Sequence, residues 1–173
     1  MGRIMRGLAL TMAFALLCGA PSGRAEEAIC KTFSWSLNEE RSWFESASLK
    51  TLEGQTASPW RNGVAYRVAM KPADAVAFRL PPERETKPEA DRAAIIEFAA
   101  VEPPGRYQVT LSDEAWIDVI QDSKYLTSVE HTGVKGCRGL RKSVRFVLTN
   151  APVTLQLSGA SVDWLAVAIR RID

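Results

Sequence analysis

The sequence predicts an all-β fold, an antiparallel β-sandwich of about nine strands with one short N-terminal helix. Two observations carry this. Apolar and polar residues alternate in short runs, and turn residues separate those runs at fairly even spacing. A strand has a side-chain period of two, so strict alternation sends one face to a core and the other to water. In residues 107–112, Tyr107, Val109 and Leu111 point one way, and Gln108, Thr110 and Ser112 the other. Val144, Phe146 and Leu148 repeat the pattern, as do Val153, Leu155 and Leu157, then Leu165, Val167 and Ile169. One-sided strands of this kind suit antiparallel sheets packed face to face.

Taken in order, the chain opens on a leader. Residues 1–25 hold Arg3 and Arg6, an apolar run from Leu8 to Leu17, and a Gly-Arg-Ala ending at Ala25. That is the layout of a secretory signal peptide, with cleavage expected after Ala25. The apolar run is shorter than the roughly 20 residues that span a bilayer. Cys18 follows Leu17, where a lipid-modified cysteine would want a small residue, so plain cleavage is the reading. The leader holds three arginines and no acid, so the net charge of +2 becomes −1 without it. Nucleic-acid binding wants a strong basic surplus and is not expected. The mature protein is expected in the periplasm or outside the cell, with no membrane attachment after cleavage.

Cys30 and Cys137 then remain. Two distant cysteines in an exported chain suggest one structural disulfide. In the chain-entropy model, closing a loop of about 100 residues contributes up to about 4.7 kcal/mol. It would pin the N-terminal segment onto the β domain.

Residues 26–63 are expected as a helix-and-loop segment, and 64–173 as the β-sandwich domain. Ser36 with Glu39 three residues on fits a capping box. It opens a short amphipathic helix ending near Ala47, with Trp35, Leu37, Trp43 and Phe44 as its buried contacts. Leu49 to Gly63 is polar and broken by Gly54, Pro59 and Gly63, so it reads as loop, with Trp60 a loop aromatic. Strands are expected over Val64–Met70, Ala75–Leu80 and Ala93–Val101, with a turn at Pro72-Ala-Asp. Pro81-Pro82 stops the second, because proline cannot donate to a ladder. The charged run Glu83 to Arg92 reads as a solvated loop. After Pro103-Pro104-Gly105 come a strand from Tyr107, then Ala115–Gln121, Lys124–His131, Arg141–Leu148, Pro152–Ser158 and Trp164–Arg170.

Residues 107–122 (YQVTLSDEAWIDVIQD) resemble a strand pair found in a family of small exported bacterial proteins of uncharacterised function. Residues 137–146 (CRGLRKSVRF) and 153–159 (VTLQLSG) follow the same pattern. Some members of that family carry a homogentisate dioxygenase name. The arrangement is also broadly similar to pre-peptidase C-terminal and carbohydrate-binding jelly rolls. The resemblance implies a periplasmic, jelly-roll-like β-sandwich and supplies no catalytic residue.

The dioxygenase name meets an obstacle in composition. A facial-triad iron site needs two histidines and a carboxylate, and this chain has one histidine, His131. Two-histidine zinc sites fail on the same count, and no Gly-x-Ser-x-Gly elbow is present to support a hydrolase. No cofactor and no catalytic residue is expected.

The remaining cluster is Asp113, Glu114, Asp118 and Asp122 beside Arg138, Arg141 and Lys142, with Trp116 and Tyr125 nearby. Asp118 lies between Ile117 and Val119, and a buried carboxylate is costly unless paired. One reading is a polar clasp from Asp118 to Arg141 or Lys142 that fixes the loop carrying Cys137. A second is a calcium site. A third is an anion or sugar-acid site on Asp118, Arg138, Arg141, Lys142 and Trp116. The function these features suggest is a non-enzymatic binding or accessory module, with a glycan or an envelope protein as partner. The alternative is an enzyme, which the single histidine disfavours.

Overall fold

In a computed structural model, residues 23–46, 49–53, 56–58 and 61–173 are described. The expected leader up to residue 22 and Trp60 lie outside them. Helix α1 (Gly23–Cys30) runs through the cleavage point expected after Ala25, and α2 (Asn38–Phe44) follows. Among the described residues, no helix is long and apolar enough to cross a membrane.

Among the described residues twelve strands follow: β1 (Lys50–Leu52), β2 (Thr56–Ser58), β3 (Val64–Ala69), β4 (Lys71–Pro72), β5 (Arg92–Ala100), β6 (Gly105–Leu111), β7 (Trp116–Gln121), β8 (Lys124–Tyr125), β9 (Glu130–Gly133), β10 (Lys142–Leu148), β11 (Pro152–Ala160) and β12 (Trp164–Arg171). They form two sheets, ordered β1-β3-β12-β6-β10-β9 and β2-β5-β11-β7-β8, with β4 also paired to β5. Eight of them pair as first with last: β3 with β12, β5 with β11, β6 with β10 and β7 with β8, all antiparallel. One long hairpin rolled on itself gives this nesting, which is the jelly roll.

The expected alternation is what builds the core. Tyr107, Val109 and Leu111 of β6 meet Phe146 and Leu148 of β10, Leu155 and Leu157 of β11, and Val167 and Ile169 of β12. The opposite faces, expected in water, are buried as well: Gln108, Thr110 and Gln156 are all fully covered. Each outer face has its own cover. On the first sheet the cover is α2, which packs on β12 and β3. Glu40 of α2 is completely buried, and its Oε1 accepts from Arg170 Nε at 2.7 Å and from Gln108 Nε2. Thr110 and Ser143 satisfy each other at 2.8 Å. A carboxylate removed from water needs such partners. Period two explains which residues face α2, while the cover itself belongs to tertiary structure.

Several sequence expectations change here. Leu49 to Gly63 is not simply loop, because β1 and β2 add in parallel to β3 and β5 at the sheet edges. Ala75–Leu80 is not a strand. A 3-10 turn (Ala73–Ala75) precedes an extended strap over the second sheet. There the side chain of Gln156 replaces a neighbouring strand: Oε1 accepts from Arg79 N–H at 2.7 Å and Leu80 N–H at 3.3 Å, and Nε2 donates to Leu80 O at 3.0 Å. The single strand expected over Lys124–His131 is split, because residues 126–129 cross from one sheet to the other. The capping box does not form. Leu37 is the N-cap residue, and Ser36 Oγ accepts from Asn38 N–H at 3.4 Å. Among the described residues, α1 precedes the short helix that the sequence expected.

Cys30 and Cys137 are bonded, with Cα atoms 5.0 Å apart and a sequence separation of 107. The bond sits in a small second core of Phe33, Leu37, Cys137 and Leu140. Arg41 of α2 reaches Cys30 Sγ at 3.0 Å. The disulfide therefore ties α1 and α2 to the β9–β10 connection. Replacing both cysteines by serine should lower unfolding free energy by about 2–5 kcal/mol in denaturant titration, with the far-ultraviolet β signal retained.

Candidate functional site

The crossover between β8 and β9 leaves a seam between the sheets, and a cleft of about 510 Å³ opens there. One wall is the strap, through Glu83 and Arg84. The other carries His131 of β9 and Lys142 of β10. Trp116 and Tyr125 stand between them. Behind them the cleft reaches Ile117, Leu126, Val144 and Phe146. Along β10, Lys142, Val144 and Phe146 share the inward face, so the cleft runs from a charged mouth to the apolar core.

Asp118 organises the mouth without lining it. On the outer face of β7 it is 2 % exposed. Its Oδ1 accepts from the Trp116 indole N–H at 2.6 Å, and its Oδ2 from the backbone N–H of Glu83 at 3.3 Å. Burial pushes its carboxyl above the ordinary 3.8, and those two donors oppose the shift. The strap is held a second time where Tyr125 donates its hydroxyl to Pro81 O. Loss of solvent, then the charges of Asp118 and Glu83, push that phenol upward.

The cations sort differently from the sequence expectation. Arg141 pairs with Glu114, and its guanidinium also reaches Val134 O at 3.5 Å. Neither Arg141 nor Lys142 bonds Asp118, so the clasp fixes the strap rather than the loop carrying Cys137. Lys142 lies 5.3 Å from the Trp116 ring centre and Arg84 5.4 Å from it. Among the described residues, neither has a carboxylate within ion-pair distance, whereas Arg141 and Arg145 both do. Burial lowers the Lys142 ammonium from its ordinary 10.5. Glu114 and, more weakly, Asp118 oppose the shift, and the positive Arg141 and Arg84 add to it.

Arg138 does not belong to this group. It is exposed and lines a separate hollow with Glu26, Arg41 and Phe44 beside α2. Arg84 was missed because the run Glu83 to Arg92 reads as an evenly charged loop; only the Asp118–Glu83 bond shows which cation it delivers. The acids also disperse. Asp113 accepts from Ser112 Oγ at 2.8 Å, and Asp122 forms the β7–β8 turn with Ser123, both at positive φ. Among the described residues, no three of His, Cys, Asp or Glu come together as metal ligands. His131 is exposed on β9 and lines the cleft.

Two other aromatics lie under cations. Trp35 is half-buried under Arg145, at 3.8 Å, and Trp164 lies under Arg67, at 4.0 Å. A larger groove of about 820 Å³ crosses the second sheet at the β7–β8 turn, but its Arg79 and Glu97 neutralise each other. In the seam cleft an apolar interior meets Lys142 and Arg84, which make no ion pair among the described residues, although Glu83 and Glu114 line the same cleft.

Fold and site together define a small jelly-roll β-sandwich with a charged cleft at its seam. No protein-family model matches this chain, and no curated protein matches it.

Removal of the clasp is testable. A raised carboxyl pKa means the folded protein favours the protonated acid. Its contribution is therefore present below about pH 3.8 and is lost as pH rises through the raised value. Compared with Asp118→Asn, the wild type should lose stability over that rise in thermal melts from about pH 3 to pH 7. A constant difference between the two proteins would contradict the clasp's protonation behaviour.

Proposed function

We propose that this protein is an exported, non-enzymatic binding or accessory module that takes a small anionic ligand at the seam. The observation that carries the reading is the pair of cations on Trp116. Lys142 is half-buried and Arg84 is exposed, and neither makes an ion pair among the described residues. The half-buried Lys142 ammonium is only partly offset by Glu114 and Asp118, neither of which is within ion-pair distance. An incoming carboxylate would supply the missing charge and accept charge-assisted hydrogen bonds from both cations. The apolar interior behind the mouth lowers the local dielectric and strengthens that pairing. A pocket of this volume holds a small molecule, with few polar groups fixing its orientation.

Export, to the periplasm or beyond, is supported by the layout of residues 1–25 and by the disulfide, which suits an oxidising compartment. Membership of the family of small exported bacterial proteins is part of the same proposal. The enzyme reading remains the weaker one, since a chain with one histidine lacks the ligands that the dioxygenase name requires.

A thermal-shift comparison of small carboxylates with their neutral amides tests the reading. Carboxylates should stabilise the wild type, and amides should not. The effect should disappear in Lys142→Met and weaken in Arg84→Ala. It should also fade as pH rises through the lowered Lys142 value, because the ammonium is the binding form. Equal stabilisation by acids and amides, or indifference to both substitutions, would overturn the proposal.

A further inference from the structure

We infer that the ligand of the seam is an amphiphile, a carboxylate carrying a flexible or planar apolar body, rather than a fully hydroxylated sugar acid. The inference rests on the reading of the seam as an anion site, and it adds what lies behind the charge. Three features carry it.

The first is depth. The side chains beyond the cations are Ile117, Leu126, Val144 and Phe146. Ile117 and Phe146 belong to the main core, while Leu126 and Val144 are only partly buried against it. The core is thus incompletely covered where the cleft meets it. Apolar surface left in this state favours an apolar occupant.

The second is where the polarity sits. Along β10 the inward residues run from Lys142 to Val144 and Phe146, so the charged lining (Glu83, Arg84, Glu114, Arg141 and Lys142) gathers at the Lys142 end. A sugar acid needs hydrogen-bond partners around its whole ring. Unmet hydroxyls placed against Val144 and Phe146 would be costly. A ligand with one charged end and an apolar remainder matches this one-ended distribution.

The third is the state of Trp116. A sugar-stacking platform presents a bare aromatic face. Here two cations already engage the ring, and the indole N–H is held by Asp118. The ring therefore orients the cations, and Asp118 acts as a positioning residue for it.

Calorimetric titration of the full chain with hexanoate, octanoate, glucuronate and octyl glucoside, each below its micelle concentration, tests the inference. Two added methylenes should tighten binding roughly tenfold from hexanoate to octanoate. Glucuronate and octyl glucoside, lacking the tail or the charge, should each bind at least about tenfold more weakly than octanoate. Leu126→Ser should flatten the chain-length dependence, and circular dichroism would verify that it folds. Val147→Ser, at an exposed apolar position outside the cleft, should change nothing, which separates the seam from general surface adsorption.

Glucuronate binding as tightly as octanoate, still sensitive to Lys142→Met, would overturn the amphiphile and leave the anion site standing. Octyl glucoside matching octanoate, indifferent to Lys142→Met, would overturn both the anion site and the inference built on it. No binding by any of the four would also overturn both. A tail effect unaltered by Leu126→Ser and lost in Val147→Ser would place the binding elsewhere and reject the inference.

Discussion

The site depends on a single buried carboxylate. Asp118 accepts from the Trp116 indole on one oxygen and from the Glu83 amide on the other. The first bond sets the ring that faces Lys142. The second sets the strap that brings Arg84 to the same ring. Neither cation is held there by an acid of its own among the described residues, so their convergence on Trp116 follows from the clasp and from the strand order that supports it.

The same device appears on both sides of the sandwich. A jelly roll has two outer faces, and in this protein one is covered by the short helix α2 and the other by the strap. Polar side chains on the strands hold the covers in place: Gln108 and Arg170 bind Glu40 of α2, and Gln156 and Asp118 bind the strap. Buried polar groups stay satisfied or they destabilise. These contacts therefore specify where the covers lie, and the disulfide adds a covalent restraint to the first of them. The seam is where the two covered sheets separate and the crossover bridges the gap.

Much of this architecture was legible in the residues. Tyr107, Val109 and Leu111, with their counterparts in β10, β11 and β12, announce the core by period alone. The cysteine pair announces its own bond. What escaped reading depended on contacts distant in sequence. Ala75–Leu80 has the alternation of a strand, yet its peptide groups find the Gln156 side chain instead of a neighbouring backbone. The two three-residue edge strands carry too little pattern to register. Lys124–His131 looks continuous because nothing local marks where it leaves one sheet for the other. In the site, Trp116, Arg141 and Lys142 were legible from their crowding on adjoining segments. Arg138 was drawn in by the same crowding, though its loop turns it toward α2. The importance of Asp118 was visible from its apolar neighbours, while its partners were not, since one of them is a backbone amide 35 residues away.

Nuclear magnetic resonance titration with octanoate tests the account most directly, because it reports the clasp and the cleft together. The Trp116 indole proton, the amides of Glu83 and Arg84, and the Val144 methyls should shift as one saturating set. Asp118→Asn should change the first three before any ligand is added. Shifts confined to another face, or an indole proton and strap amides that do not respond to Asp118→Asn, would contradict it.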